Sequence, residues 1–180
     1  GIKNAGADCR AERIVSENGC TSFDLCWQGT VTPVTLPCIG EHNVMNGAAA
    51  FCIGMLAGME PEEIAGALRT YQPDGMRQNI QQIDDKTVIL DCYNASPDSM
   101  RASLSVLGQL SVTGRRIGVL GDMLELGEQS RQLHRMVGGL VTPAQVDLLF
   151  CYGPESRYIA EEAAKQGVPV QHFTEKEALT

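Results

Sequence analysis

From Thr87 onward the chain alternates short apolar runs with amphipathic helical stretches, and few folds accept that alternation. Residues 87–91, 116–120, 146–151 and 168–173 read as strands, and the segments between them, centred on Leu104, His134 and Ala160, carry the helical apolar period. Strands separated by helices do not pair as hairpins. They build a parallel sheet with right-handed crossovers, so a Rossmann-like, doubly wound α/β domain is expected. The carboxyl edge of such a sheet faces the crevice in which ligands are held. Asp91, Gly121 with Asp122, and Tyr152 with Gly153 are expected to emerge together along that edge.

The first half reads differently. Short strands at 13–15, 23–27 and 31–36 are punctuated by Glu17-Asn18-Gly19 and Gln28-Gly29, which is hairpin chemistry, and Trp27 is expected to pack on its strand. Two helices follow, 42–58 and 61–70, the second opened by Pro61 with Glu62 and Glu63 beside its positive end. A turn-rich loop, Gln72-Pro73-Asp74-Gly75, leads to Arg77 and a short strand at about 78–83. Asp84-Asp85-Lys86 marks the expected boundary between two domains, 1–83 and 84–180.

Composition narrows the function classes. A net charge of −8 argues against a nucleic-acid surface, because phosphate contacts come from clustered Lys and Arg, and it means that an anionic substrate needs local basic residues or Mg²⁺. No run of about 18 apolar residues occurs, so no membrane insertion is expected. Cysteines at 9, 20, 26, 38, 52, 92 and 151 are odd in number and contain no C-x-x-C pair. Zinc is not expected, and reduced thiols in the cytoplasm are the simplest reading. Cys92 has no evident neighbouring base.

Three segments concentrate polar chemistry. The stretch "DCYNASPDSM", from Asp91, puts a carboxylate and an amide at a strand mouth, with Ser96 as helix cap and Pro97 in the first helical turn. Asp91 and Asn94 also suit a plain turn. The stretch "GEHNVMN", from Gly40, leads into a small-residue apolar helix with Asn43 and Asn46 on one face of its first turn, where amides read a ring edge or a phosphate. Asn43 equally suits a helix cap. The stretch "GVLGDMLELGEQSRQLH", from Gly118, runs from a buried strand through an acidic loop to a helix bearing His134, for which a structural role and proton transfer both stand. Gly118 and Gly121 complete no three-glycine fingerprint, so no dinucleotide site is expected. Arg77, in "GMRQ", also reads as a solvated charge.

In this order, and over most of residues 38–135, these motifs resemble the Mur ligase family. The resemblance implies an ATP- and Mg²⁺-dependent amide ligase of peptidoglycan precursor synthesis, and "YNASPDSM" and "GDMLELG" are similar to members that join D-alanyl-D-alanine to UDP-N-acetylmuramoyl-tripeptide through an acyl phosphate. It implies Asn43 and Asn46 near the nucleotide base, Arg77 on ATP phosphate, and Asp91 on the ribose hydroxyls at the join between the domains. The geometry of the sheet's carboxyl edge is expected to gather Asn94, Ser96, Asp122, Glu125, His134 and Tyr152 where, on this resemblance, the dipeptide would sit. Leu90 and Ser96 depart from the family pattern, which often has a second acid and an Asn there.

The resemblance also implies that 1–83 is the end of a central ATP-binding domain and 84–180 most of a carboxy-terminal ligase domain. No GxxGKT loop occurs, and none of Lys3, Lys86, Lys165 and Lys176 follows a glycine, so the phosphate loop and most Mg²⁺ ligands are expected outside this chain. The last strands are expected after Thr180. No catalytic residue is assigned within the chain, and the chain alone is expected to be inactive. Two rivals stand: a sibling ligase that adds another amino acid or extends folate with glutamate, and a non-catalytic binding module derived from such an enzyme.

Overall fold

The computed structural model describes residues 1–4, 6–17, 19–72 and 75–175, and the chain divides into two compact units between Gly75 and Met76. Asn18, Pro73 and Asp74, expected in turns, lie outside the described residues.

In the first unit β1 (Cys9–Glu17), β2 (Cys20–Trp27) and β3 (Thr30–Leu36) form an antiparallel meander in that order. The two-residue period of β2 sends Thr21, Phe23 and Leu25 inward, where side chains of α1 (Glu41–Leu56) and α2 (Pro61–Arg69) meet them. Phe23, Leu25, Val44, Phe51 and Ile64 are the centre of this core, and Trp27 packs against its rim. Pro61 opens α2 as expected, and a reciprocal capping box between Glu60 and Glu63 ties its first turn.

The second unit opens with a hairpin. Strand β4 (Asn79–Ile83) pairs antiparallel with β5 (Lys86–Leu90), and Asp84, at φ 54°, turns the chain between them. The residues expected to separate two domains are therefore a hairpin turn, and the division falls ahead of the hairpin instead. The assignment of 87–91 to the parallel sheet is likewise corrected. An apolar run pairs as readily with its sequence neighbour as with a distant strand, and β5 is half-buried at best.

After α3 (Pro97–Gln109) the expected architecture follows. Strands β6 (Ile117–Gly121), β7 (Leu148–Tyr152) and β8 (Val170–Phe173) form a parallel sheet in sequence order. They are joined by α4 (Ser130–Gly138), which a single 3₁₀ turn at Gly127–Gln129 introduces, and by α5 (Arg157–Lys165). Consecutive strands are sheet neighbours, and crossovers of the usual right hand put α4 and α5 on one face, where both pack on the same core. That face holds the core of Leu104, Met123, Val137, Leu149, Cys151 and Ile159. On the other face Val119 is 61% exposed, and Phe150 stacks on Phe173 with ring centroids 6.3 Å apart. Among the described residues, helices of a doubly wound sheet are seen on the first face only.

Candidate functional site

In the second unit the end of β5 is bound to the segment that precedes β4. The carbonyl of Met76 accepts the N–H groups of Cys92 at 2.9 Å and Tyr93 at 3.3 Å. Asp91 follows β5 directly, and each of its carboxylate oxygens accepts one bond: Oδ1 from the N–H of Gln78 at 3.2 Å, Oδ2 from the hydroxyl of Ser103 on α3. An ionised carboxylate offers about four lone-pair sites, so acceptor capacity remains. Arg77 is exposed, with its guanidinium 4.2 Å from the centroid of the Tyr93 ring, a cation–π distance. Arg77 and Asp91 are thus brought together by one backbone junction.

Downstream, Asn94 is exposed and its Oδ1 accepts the N–H of Ala95 at 2.9 Å. Ser96 caps α3 as the sequence predicts: its hydroxyl accepts the N–H of Ser99 at 3.2 Å, and Ser99 Oγ accepts the N–H of Ser96 at 2.9 Å. The hydroxyl is engaged in starting the helix, which leaves it less to offer a dipeptide.

A second group gathers after β6. Asp122 Oδ1 accepts the N–H of Ser156 at 2.6 Å, and Ser156 is the residue that opens α5, where the positive helix end favours a carboxylate. Gly153, at φ 107°, makes room for that carboxylate: a Cβ there would lie 2.4 Å from Asp122 Cγ. Tyr152 ends β7 just before it, half-buried. At the loop tip Leu124 is 73% exposed and Glu125 turns with φ 62°, exposed.

His134 is corrected. Its ring is fully buried; Nε2 accepts the N–H of Met123 at 3.0 Å, so the proton resides on Nδ1, which donates to the carbonyl of Ser130 at 2.8 Å. Both nitrogens are spent inside the protein, and the side chain supports the acidic loop instead of reaching a ligand. Ser130 extends the arrangement by donating its hydroxyl to Glu155 Oε2 at 2.7 Å, which joins the start of α4 to the start of α5.

In the first unit, Gly40 precedes α1 at φ 115° and carries no side-chain cap, so Asn43 is the third helical residue and not its cap. Its Nδ2 donates to the carbonyl of Ile39 at 2.9 Å, and Asn46 is exposed one turn on.

Ser103, Ser130, Ser156 and Tyr93 complete these groups without having been singled out in the sequence. One signal existed for Ser103: it is a polar residue beside the buried Met100 and Leu104 of α3. All seven cysteines are free. Burial pushes the Cys151 thiol up to about 12 and the Cys38 thiol up to about 11, while Cys92, next to Asp91, is exposed. Among the described residues no three His, Cys, Asp or Glu side chains converge to hold a metal ion, and no helix is long and apolar enough to cross a membrane.

Residues 76–180 match the family described as Mur ligase, glutamate ligase domain. The UDP-N-acetylmuramoyl-tripeptide–D-alanyl-D-alanine ligase of Bacillus subtilis (strain 168) is 38% identical over 167 residues, which is 91% of this chain and 36% of that protein. The ligase of the same name from Haemophilus influenzae is 36% identical over 172 residues, 95% of this chain and 36% of that protein. A crystal structure of MurF from Acinetobacter baumannii superposes with a TM-score of 0.88 at 31% identity, covering 97% of this chain and 37% of the other. The chain therefore spans just over a third of the length of these relatives.

Proposed function

The chain belongs to the Mur ligase family, and we propose that it forms part of an ATP-dependent amide ligase joining D-alanyl-D-alanine to UDP-N-acetylmuramoyl-tripeptide in the cytoplasm. The observation that carries this reading is the identity to ligases of that name across 91% and 95% of the chain. On this reading 1–75 is the end of the ATP-binding domain and 76–180 most of the ligase domain.

A carboxylate and an amine do not condense unaided in neutral water. Phosphoryl transfer from ATP to the terminal carboxylate of the tripeptide gives an acyl phosphate; the dipeptide amine attacks its carbonyl carbon, and the C–O bond to phosphate breaks. Such a reaction gains most from holding its partners in place. Asp91, with acceptor capacity to spare, fits the ribose hydroxyls, and the exposed Arg77 guanidinium fits a phosphate. Asn43 and Asn46 supply amides for the base. Asn94, Asp122, Glu125 and Tyr152 remain the proposed dipeptide contacts, with Ser96 shaping the end of the loop that bears Asn94. Mg²⁺ would screen the phosphate charges, and no metal-binding group among the described residues is assigned to it.

The gene product carrying this chain, supplied with ATP, Mg²⁺, the nucleotide-linked tripeptide and D-alanyl-D-alanine, is expected to release phosphate in step with amide formed. Turnover that follows glutamate on a folate acceptor, or a single amino acid, would move the assignment to a sibling ligase. An absence of all ATP-dependent turnover would leave the binding-module reading.

A further inference from the structure

We propose that Ser103 is a positioning residue for Asp91, holding the carboxylate in the one rotation that keeps a free edge of each oxygen turned outward. The inference rests on the proposed role of Asp91 as the acceptor for the nucleotide's ribose.

Ser103 lies inside α3 between two buried apolar residues, Met100 and Leu104, and is itself half-buried. A hydroxyl taken from water needs a partner. Within a helix the nearest one is the carbonyl a turn back, yet the single proton of Ser103 goes to Asp91 Oδ2. Serine is also a weaker helix former than alanine, so helix stability is no reason for it here.

The geometry at Asp91 shows what that bond does. The terminal torsion of an aspartate is broad and roughly two-fold, so a carboxylate held by one oxygen can swing. Gln78 holds Oδ1 from the backbone two residues after Met76, whose carbonyl is itself bonded to Cys92 and Tyr93. Ser103 holds Oδ2 from a helix. Anchors on both oxygens, from two separate elements, fix the carboxylate plane and leave one lone-pair site on each oxygen for donors from outside. Without the hydroxyl the charge stays and the orientation is lost.

The test uses the whole gene product and compares Ser103→Ala, Ser103→Thr and Asp91→Asn in steady-state kinetics and thermal unfolding. Ser103→Ala is expected to raise the KM for ATP about three- to tenfold, the size of one net hydrogen bond, with kcat, the KM for the dipeptide and the Tm unchanged. Ser103→Thr, which keeps a hydroxyl, should restore the KM. If Asp91→Asn raises the KM for ATP and Ser103→Ala does not, the positioning role is overturned while that of Asp91 stands. If neither moves it, both are overturned. A lower Tm for Ser103→Ala together with no recovery in Ser103→Thr would make Ser103 structural and also overturn the proposal.

Discussion

Met123 donates its backbone N–H to Nε2 of His134 at 3.0 Å, and this bond determines which nitrogen of the buried ring carries the proton. The acidic loop after β6 is thereby fastened to α4 from beneath. His134→Ala would leave that N–H without its acceptor and a void where a fully buried ring had been. The expected cost is about 2–4 kcal/mol of unfolding free energy. Urea unfolding of the variant measures it, and a loss under about 1 kcal/mol would contradict the supporting role.

Gly153 is bound to Asp122 by shape. Its φ of 107° disfavours any side chain, and a Cβ would collide with the Asp122 carboxylate. Gly153→Ala is expected to cost at least about 2 kcal/mol. In an Asp122→Ala background the collision disappears and only the backbone strain remains, about 1–2 kcal/mol. A double-mutant cycle reads the difference as coupling, and additive effects would show that the two residues do not meet.

The buried thiols make a pH-dependent contribution with a definite sign. Burial lifts Cys151 from the ordinary thiol value of 9.0 to about 12 and Cys38 to about 11; burial and then the neighbouring Cys52 lift Cys9 to about 12. The folded state thus keeps these protons when the unfolded chain would release them. Their contribution is fully present below pH 9.0 and is lost as pH rises toward the folded values, by up to about 1.4 kcal/mol per pH unit for each thiol. Urea midpoints taken from pH 8 to 10.5 should fall accordingly. At pH 8, brief iodoacetamide treatment followed by peptide mapping should mark the exposed Cys92 well before Cys9, Cys38 or Cys151. Equal labelling of Cys151 would refute its burial.

The parallel part of the fold was legible because strand length and helical period agree there: β6, β7 and β8, with α4 and α5 between them, fall within a few residues of where the apolar pattern puts them. Strand β5 was misplaced because its run of Thr87 to Leu90 looks the same whichever neighbour it joins, and its partner, Asn79–Ile83, carries little apolar signal. At the site, Asp91 and Asp122 were visible as acids that follow strands. Their partners were not, since Ser103 and Ser156 come from other elements and no local period links them. His134 did leave a trace. It occupies the same helical stripe as Val137 and Gly138, the buried residues of α4, so its burial followed from spacing while its polarity suggested chemistry.

Strand β6 closes one end of the parallel sheet, and among the described residues nothing pairs with its far side. It also turns Ile117 and Val119 outward, 45% and 61% exposed. An apolar, unpaired border of this kind invites the same border of another molecule to zip onto it. The colloidal life of a purified sample of this chain therefore depends on how concentrated it has been, and one lysine at Val119 should lengthen it. Light scattering followed over days in Val119→Lys and the parent chain would register that difference.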